Sequence, residues 1–186
     1  TDPFGRPSAR AHMHPGYQNP DAIGPSGPVD PELSVLAVRS VEGRPIAVLA
    51  NYSMHYFGAG HVSADYFGRF ATDLAKHIGA DREDPPFVAM MSQGTSGDQH
   101  WMDYGRPQTK ITLDEYAEAV AKIALTAYQR VEYRDFVPLA MAETRLRLRR
   151  RTPDGLRLKW AGEIVAAMGD RPPRTLPEVY AKEAFY

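Results

Sequence analysis

Two short apolar runs constrain this chain most. Pro45–Ala50 stops abruptly at a polar cluster, Asn51-Tyr52-Ser53-Met54-His55, and Phe87–Met91 stops at another, Ser92-Gln93-Gly94-Thr95-Ser96-Gly97-Asp98-Gln99. Between them the apolar residues take a helical period: Tyr66, Phe70, Leu74 and Ile78 are spaced by four, with Phe67 and Ala71 widening the stripe. Short, bounded apolar runs read as buried strands. A helix fits between them, with Ser63 or Asp65 capping its start and Gly79 its stop. Strand, polar turn with a histidine, then an aspartate at a helix start is how α/β enzymes present chemistry at strand ends. The two polar loops are therefore expected to face one another as part of a catalytic site.

The remaining elements extend this pattern. Leu33–Ser40 reads as a strand apolar on both faces, hence central, joined to the strand Pro45–Asn51 by a turn at Glu42-Gly43-Arg44. Pro45 opens its strand, where proline is tolerated. Thr112-Leu113-Asp114-Glu115 is a capping box, and the helix it starts runs to about Arg130. Pro138–Arg150 alternates leucine with arginine and reads as an edge strand with a solvated face, rather than as a phosphate site built on the five arginines between Arg145 and Arg151. Further helices are expected from Thr152-Pro153 to about Gly169 and from Thr175 onward. His77, in the last turn of its helix, suits the helix dipole. The fold expected is α/β: a mixed β-sheet flanked by helices.

Residues 1–32 hold seven of the sixteen prolines and four of the fifteen glycines, with no hydrophobic period, and read as an irregular segment preceding an α/β portion at 33–186. His12 and His14 lie two apart, a spacing that lets both grip one ion on an extended chain, although exposed loop histidines are the better reading. The chain starts in mid-loop and ends inside a helical pattern, so it reads as an internal part of one longer catalytic domain. A hydrophobic content of 43% is enough for a core. The net charge of -1 argues against nucleic acid as a partner. No apolar run approaches the roughly 18 residues a membrane-spanning helix needs. With no cysteine, any metal must be held by imidazole and oxygen ligands.

Several signatures are missing. Gly94-Thr95-Ser96-Gly97 does not have the spacing of a nucleophile elbow, no Gly-Lys-Ser/Thr follows to make a phosphate loop, and there is no His-Glu-x-x-His. Gly94 and Gly97 would let backbone amides converge on an anion, with Ser96 between them. Trp101, Met102 and Tyr104 add apolar surface beside this turn, either lining a substrate channel or packing in the core.

The order of Gly27-Pro28-Val29-Asp30-Pro31-Glu32-Leu33, the strand ending in Asn51-Tyr52-Ser53-Met54-His55, Ser63-Ala64-Asp65-Tyr66-Phe67-Gly68, and Gly94-Thr95-Ser96-Gly97-Asp98 resembles the N-terminal catalytic domain of the neutral/alkaline, non-lysosomal ceramidases, bacterial ones in particular. The resemblance runs from about Pro28 to Met102. It implies zinc-dependent hydrolysis of an amide bond in ceramide or a related N-acyl lipid, with access to substrate at a membrane surface, and it suggests secretion or the periplasm. In that family two histidines, a glutamate and a tyrosine hold the zinc; His55 matches the second histidine, and the other ligands would lie outside this chain. The family's catalytic serine sits in a Gly-Asp-x-Ser-Pro-Asn loop. Ser96 is the best match, in a loop one residue shorter before the serine and without Pro-Asn. On this reading Ser96 is nucleophile or oxyanion donor, Gly94 and Gly97 supply backbone donors, Asp65 orients His55 or caps its helix, and Trp101 and Tyr104 contact substrate. Two other readings remain: a metal-independent serine hydrolase using Ser96, His55 and Asp65, and a non-catalytic lipid- or carbohydrate-binding domain.

Overall fold

The structure is a computed structural model, and it describes residues 14–149 and 152–185. They fall into two compact units, one ending at Pro138 and the other starting at Leu139.

The first unit is a mixed sheet covered by two helices. Strands β1 (Leu33–Arg39) and β2 (Pro45–Tyr52) form an antiparallel hairpin, and β2 pairs in parallel with β3 (Val88–Gln93). The order β1-β2-β3 makes β2 the central strand. The turn expected at 42–44 is closed by the Ser40 amide donating to the Arg44 carbonyl at 2.8 Å. Helix α1 (Asp65–Ile78) connects the two parallel strands, and α2 (Leu113–Tyr128) follows β3. α1 packs on α2 and β3, and α2 reaches β1.

The core follows the periodicities. Val48 and Ala50, alternate residues of β2, are buried against Phe70 and Leu74 of α1 and against Val120, Ala121 and Ala124 of α2. The alanines let α2 lie close to its neighbours, and burial of Phe70 and Leu74 contributes roughly 1.5–3 kcal/mol each. Gly79 ends α1 at φ +77, a left-handed conformation that glycine adopts without strain; its amide donates to Lys76 and that of Ala80 to Ala75. The Thr112/Glu115 capping box is fully formed: the Thr112 hydroxyl accepts from the Glu115 amide at 3.2 Å, and Glu115 accepts from the Thr112 amide at 2.8 Å.

Three expectations are corrected. β1 is an edge strand, because only β2 has a neighbour on both sides; the outward row Leu36–Leu49–Met90 forms an open apolar face, with Leu36 60% exposed. Residues 138–149 form no strand, and Leu148 is 85% exposed. Alternation alone does not make a strand without a neighbour to complete its hydrogen bonds. Helix α3 (Gly155–Met168) starts later than Thr152-Pro153, because the Asp154 carboxylate accepts from the Arg157 amide at 2.8 Å and is the stronger cap.

The second unit pairs α3 with α4 (Leu176–Phe185), burying Ala161, Met168 and Ala181. α4 starts directly after Thr175, whose hydroxyl accepts from the Glu178 amide at 3.4 Å. Glu178 accepts from the amides of Arg174 and Thr175 and from the Arg171 guanidinium; that guanidinium, then the Arg174 amide, bring its carboxyl down to about 2.

Candidate functional site

Because β2 and β3 are parallel neighbours in register, Asn51 opposite Ser92 and Tyr52 opposite Gln93, they end at the same edge of the sheet. The two polar loops therefore adjoin. Asn51 donates through its side-chain nitrogen to the Ser92 hydroxyl at 2.8 Å, and the Gly94 amide donates to the Tyr52 carbonyl at 3.0 Å.

Ser53 locks the loops together. It is 1% exposed, donates to the Asp30 carboxylate at 2.9 Å and accepts from the Thr95 amide at 3.1 Å. Gly94 passes so close that a Cβ there would lie 2.4 Å from the Ser53 hydroxyl and 3.2 Å from the Asn51 side-chain oxygen. The reason for glycine at 94 is thus this approach, not a special φ. Its amide is committed to Tyr52, that of Thr95 to Ser53 and that of Ser96 to the Gly94 carbonyl, so none of the three is free to receive an oxyanion. Gly97 faces open space.

His55 leaves the end of β2 with its amide donating to the Gln99 carbonyl at 3.2 Å. Its ring lies 4.2 Å from Tyr56 and 6.2 Å from His100, centroid to centroid, and His100 lies 5.8 Å from His14. Three imidazoles thus stand in a row. The His55 Nδ1 is buried with no hydrogen-bond partner among the described residues, and so is the Gln99 Oε1. His100 accepts from the Met102 amide through Nδ1 at 3.3 Å. Its burial, with His14 and His55 nearby, holds its pKa below the ordinary value of 6.5, which keeps the ring uncharged at neutral pH. His14 shares a 2.5 Å hydrogen bond with the Tyr104 hydroxyl, which also reaches the Met102 sulfur at 3.0 Å. Of the His12/His14 pair, His12 lies outside the described residues.

Asp65 serves the backbone at the start of α1. Its carboxylate accepts from four amides: Phe57 at 2.7 Å, Gly58 at 3.0 Å, Ala59 at 2.8 Å and Tyr66 at 2.7 Å. It therefore ties the loop after His55 to the start of α1, at the left-handed φ of 49° that aspartate tolerates better than most residues. Partial burial opposes its charge, but the four amides outweigh that and hold its carboxyl below the ordinary 3.8. Ser63 accepts from the Asp65 amide at 2.9 Å.

Ser96 opens a short 3₁₀ turn, Ser96–Asp98. Among the described residues no hydrogen bond joins Ser96 to His55, or His55 to Asp65. Trp101 stacks on Phe57 at 4.7 Å and donates to the Phe57 carbonyl at 3.0 Å, inside the cluster of Met54, Tyr66 and Ala117. It packs, as one of its two readings expects. No sequence motif singles out His100; a histidine directly after the polar loop is its only signal. Nor does one single out Ser53, whose role depends on Asp30 arriving from a distant segment.

The site's donors suit a metal in type only in part. His55 has an unpartnered nitrogen and His100 is uncharged, yet among the described residues no three His, Cys, Asp or Glu side chains are grouped to hold one ion. The surface hollow between α1 and α2, lined by Arg69, Asp73, Asp114, Glu115 and Glu118, includes none of these site residues.

Comparison with known proteins adds no relative: no family model, curated protein or solved structure matches the chain.

Proposed function

We propose that the chain is part of a zinc-dependent hydrolase of the ceramidase type, cleaving an amide bond of ceramide or a related N-acyl lipid. The observation that carries this reading is His55: an imidazole at the end of the central strand, with a nitrogen that no group among the described residues engages, beside the second loop that the parallel pairing brings to it. It is one ligand of the site. The remaining ones, an upstream histidine and a downstream glutamate and tyrosine, come from outside these residues. A zinc ion held by His55 and those ligands would polarise the scissile carbonyl and lower the pKa of a bound water towards ~7.

The chain's own residues supply the frame. Ser53, accepting from the Thr95 amide, ties the two loops together, Asp65 holds the loop that follows His55, and Ser96 of the neighbouring turn would act as nucleophile or as donor to the oxyanion. A serine-histidine-aspartate relay is disfavoured, since Asp65 is occupied by four amides and makes no bond that would orient His55. Among the described residues no helix is long and apolar enough to cross a membrane, so access to a lipid substrate would be from the surface.

A chelator tests the reading. Dialysis of the full-length protein against one should abolish release of fatty acid from an N-acylsphingosine, and added zinc should restore it. Turnover that persists without metal would contradict the proposal.

A further inference from the structure

One repeat in the sequence has no role in the fold. Leucine alternates with arginine through Arg145-Leu146-Arg147-Leu148-Arg149, as an edge strand would have it, and no strand forms there. Among the described residues no backbone hydrogen bond engages residues 139–149. Their large apolar side chains stand in solvent: Leu139 is 94% exposed, Met141 89%, Leu146 73% and Leu148 85%. Exposed apolar groups gathered in this way mark a surface that meets something other than water. The charge beside them has one sign. Glu143 is the sole acidic residue of 139–149, and it lies 3.5 Å from Arg145. Arg147 and Arg149 are exposed and pair with no carboxylate among the described residues. The whole chain carries a net charge of only -1, so this positive charge is local. The same mixture recurs at the start of α3, where Leu156, Leu158 and Lys159 are exposed.

We propose that residues 139–149 are a docking segment for an anionic lipid surface. The arginines take the headgroup phosphates, and the leucines with Met141 enter the boundary between headgroups and acyl chains. Arginine alone would suit any polyphosphate, nucleic acid included. The interleaved leucines favour lipid, because a phosphate backbone gives them nothing to bury against and a bilayer boundary does. The unpaired backbone sets the depth: it stays at headgroup level, where water completes its hydrogen bonds, and does not enter the hydrocarbon. The inference deepens the reading of a lipid amide as substrate, since it brings the protein to the surface that holds one. Its test is binding, which needs neither zinc nor turnover, so the two can fail separately.

The full-length protein is sedimented with vesicles of phosphatidylcholine alone and with vesicles of equal parts phosphatidylcholine and phosphatidylglycerol. The wild type should go down with the mixed vesicles and stay in solution with the neutral ones. Raising the salt concentration should weaken the binding. Replacing the three arginines together, Arg145→Gln, Arg147→Gln and Arg149→Gln, should lower affinity for the mixed vesicles roughly 100-fold. The pair Leu146→Ser and Leu148→Ser should lower it roughly tenfold while leaving all three arginines in place. Equal binding of the wild type to both vesicles, or to neither, would overturn the proposal without recourse to any variant. So would a leucine pair that binds like the wild type together with displacement of the vesicles by a DNA duplex, which would make the segment a site for nucleic acid.

Discussion

At the scale of single residues, the two glycines of the second loop should behave oppositely. Gly94→Ala puts a carbon against a buried hydroxyl that is bonded on both sides. It should cost about 1–3 kcal/mol in denaturant unfolding, as overpacking does. Gly97→Ala meets no atom within 4 Å and should stay within about 0.5 kcal/mol of wild type. Asp65 gives a pH prediction. Its folded pKa lies below the ordinary 3.8, so its contribution is complete above that value and is lost as pH falls through the lower folded one. Amide exchange protection of Phe57, Gly58 and Ala59 should therefore hold at neutral and mildly acidic pH and collapse only in stronger acid. Asp65→Ala should loosen the same three amides at every pH, since it leaves them no side-chain acceptor, whereas Asp65→Asn keeps one oxygen and should loosen only those bonded to the other. His55 and Ser96 could be singled out from the sequence because each follows an apolar run. Ser53 could not: its role depends on the Thr95 amide that approaches it from the other loop.

At the scale of elements, legibility followed whether a signal was local. The capping box at Thr112 needs only four consecutive residues, and it forms as read. Thr112→Ala should lower stability by about 1 kcal/mol, measurable as a shift of the urea midpoint with the slope unchanged. The α1 stripe and its Gly79 stop are local in the same sense. Sheet position is not. Leu33–Arg39 carries apolar residues on both faces, yet it lies at the edge, because strand order is decided by the parallel pairing of β2 with β3. Residues 138–149 show the same limit more sharply: leucine and arginine alternate as in a strand, and no strand forms.

At the scale of the whole molecule, the first unit brings strand-end groups to one edge of a mixed sheet. The parallel pair places His55 beside Gln99 and His100, and Ser53, accepting from the Thr95 amide, ties their loops together. The sequence conveyed the α/β class, and that the two loops would adjoin, because both follow from apolar runs and a helical period. It did not convey the row of imidazoles, which requires residues 14–18 to meet the loop near Tyr104; there the Gln18 amide donates to the Tyr104 carbonyl at 2.8 Å. The proposed function turns on His55 as a zinc ligand. Zinc content of the full-length protein, measured by elemental mass spectrometry for wild type and His55→Ala after identical purification, tests it most directly. The wild type should carry zinc in proportion to protein and the folded variant should carry almost none; equal zinc in the two would contradict the account.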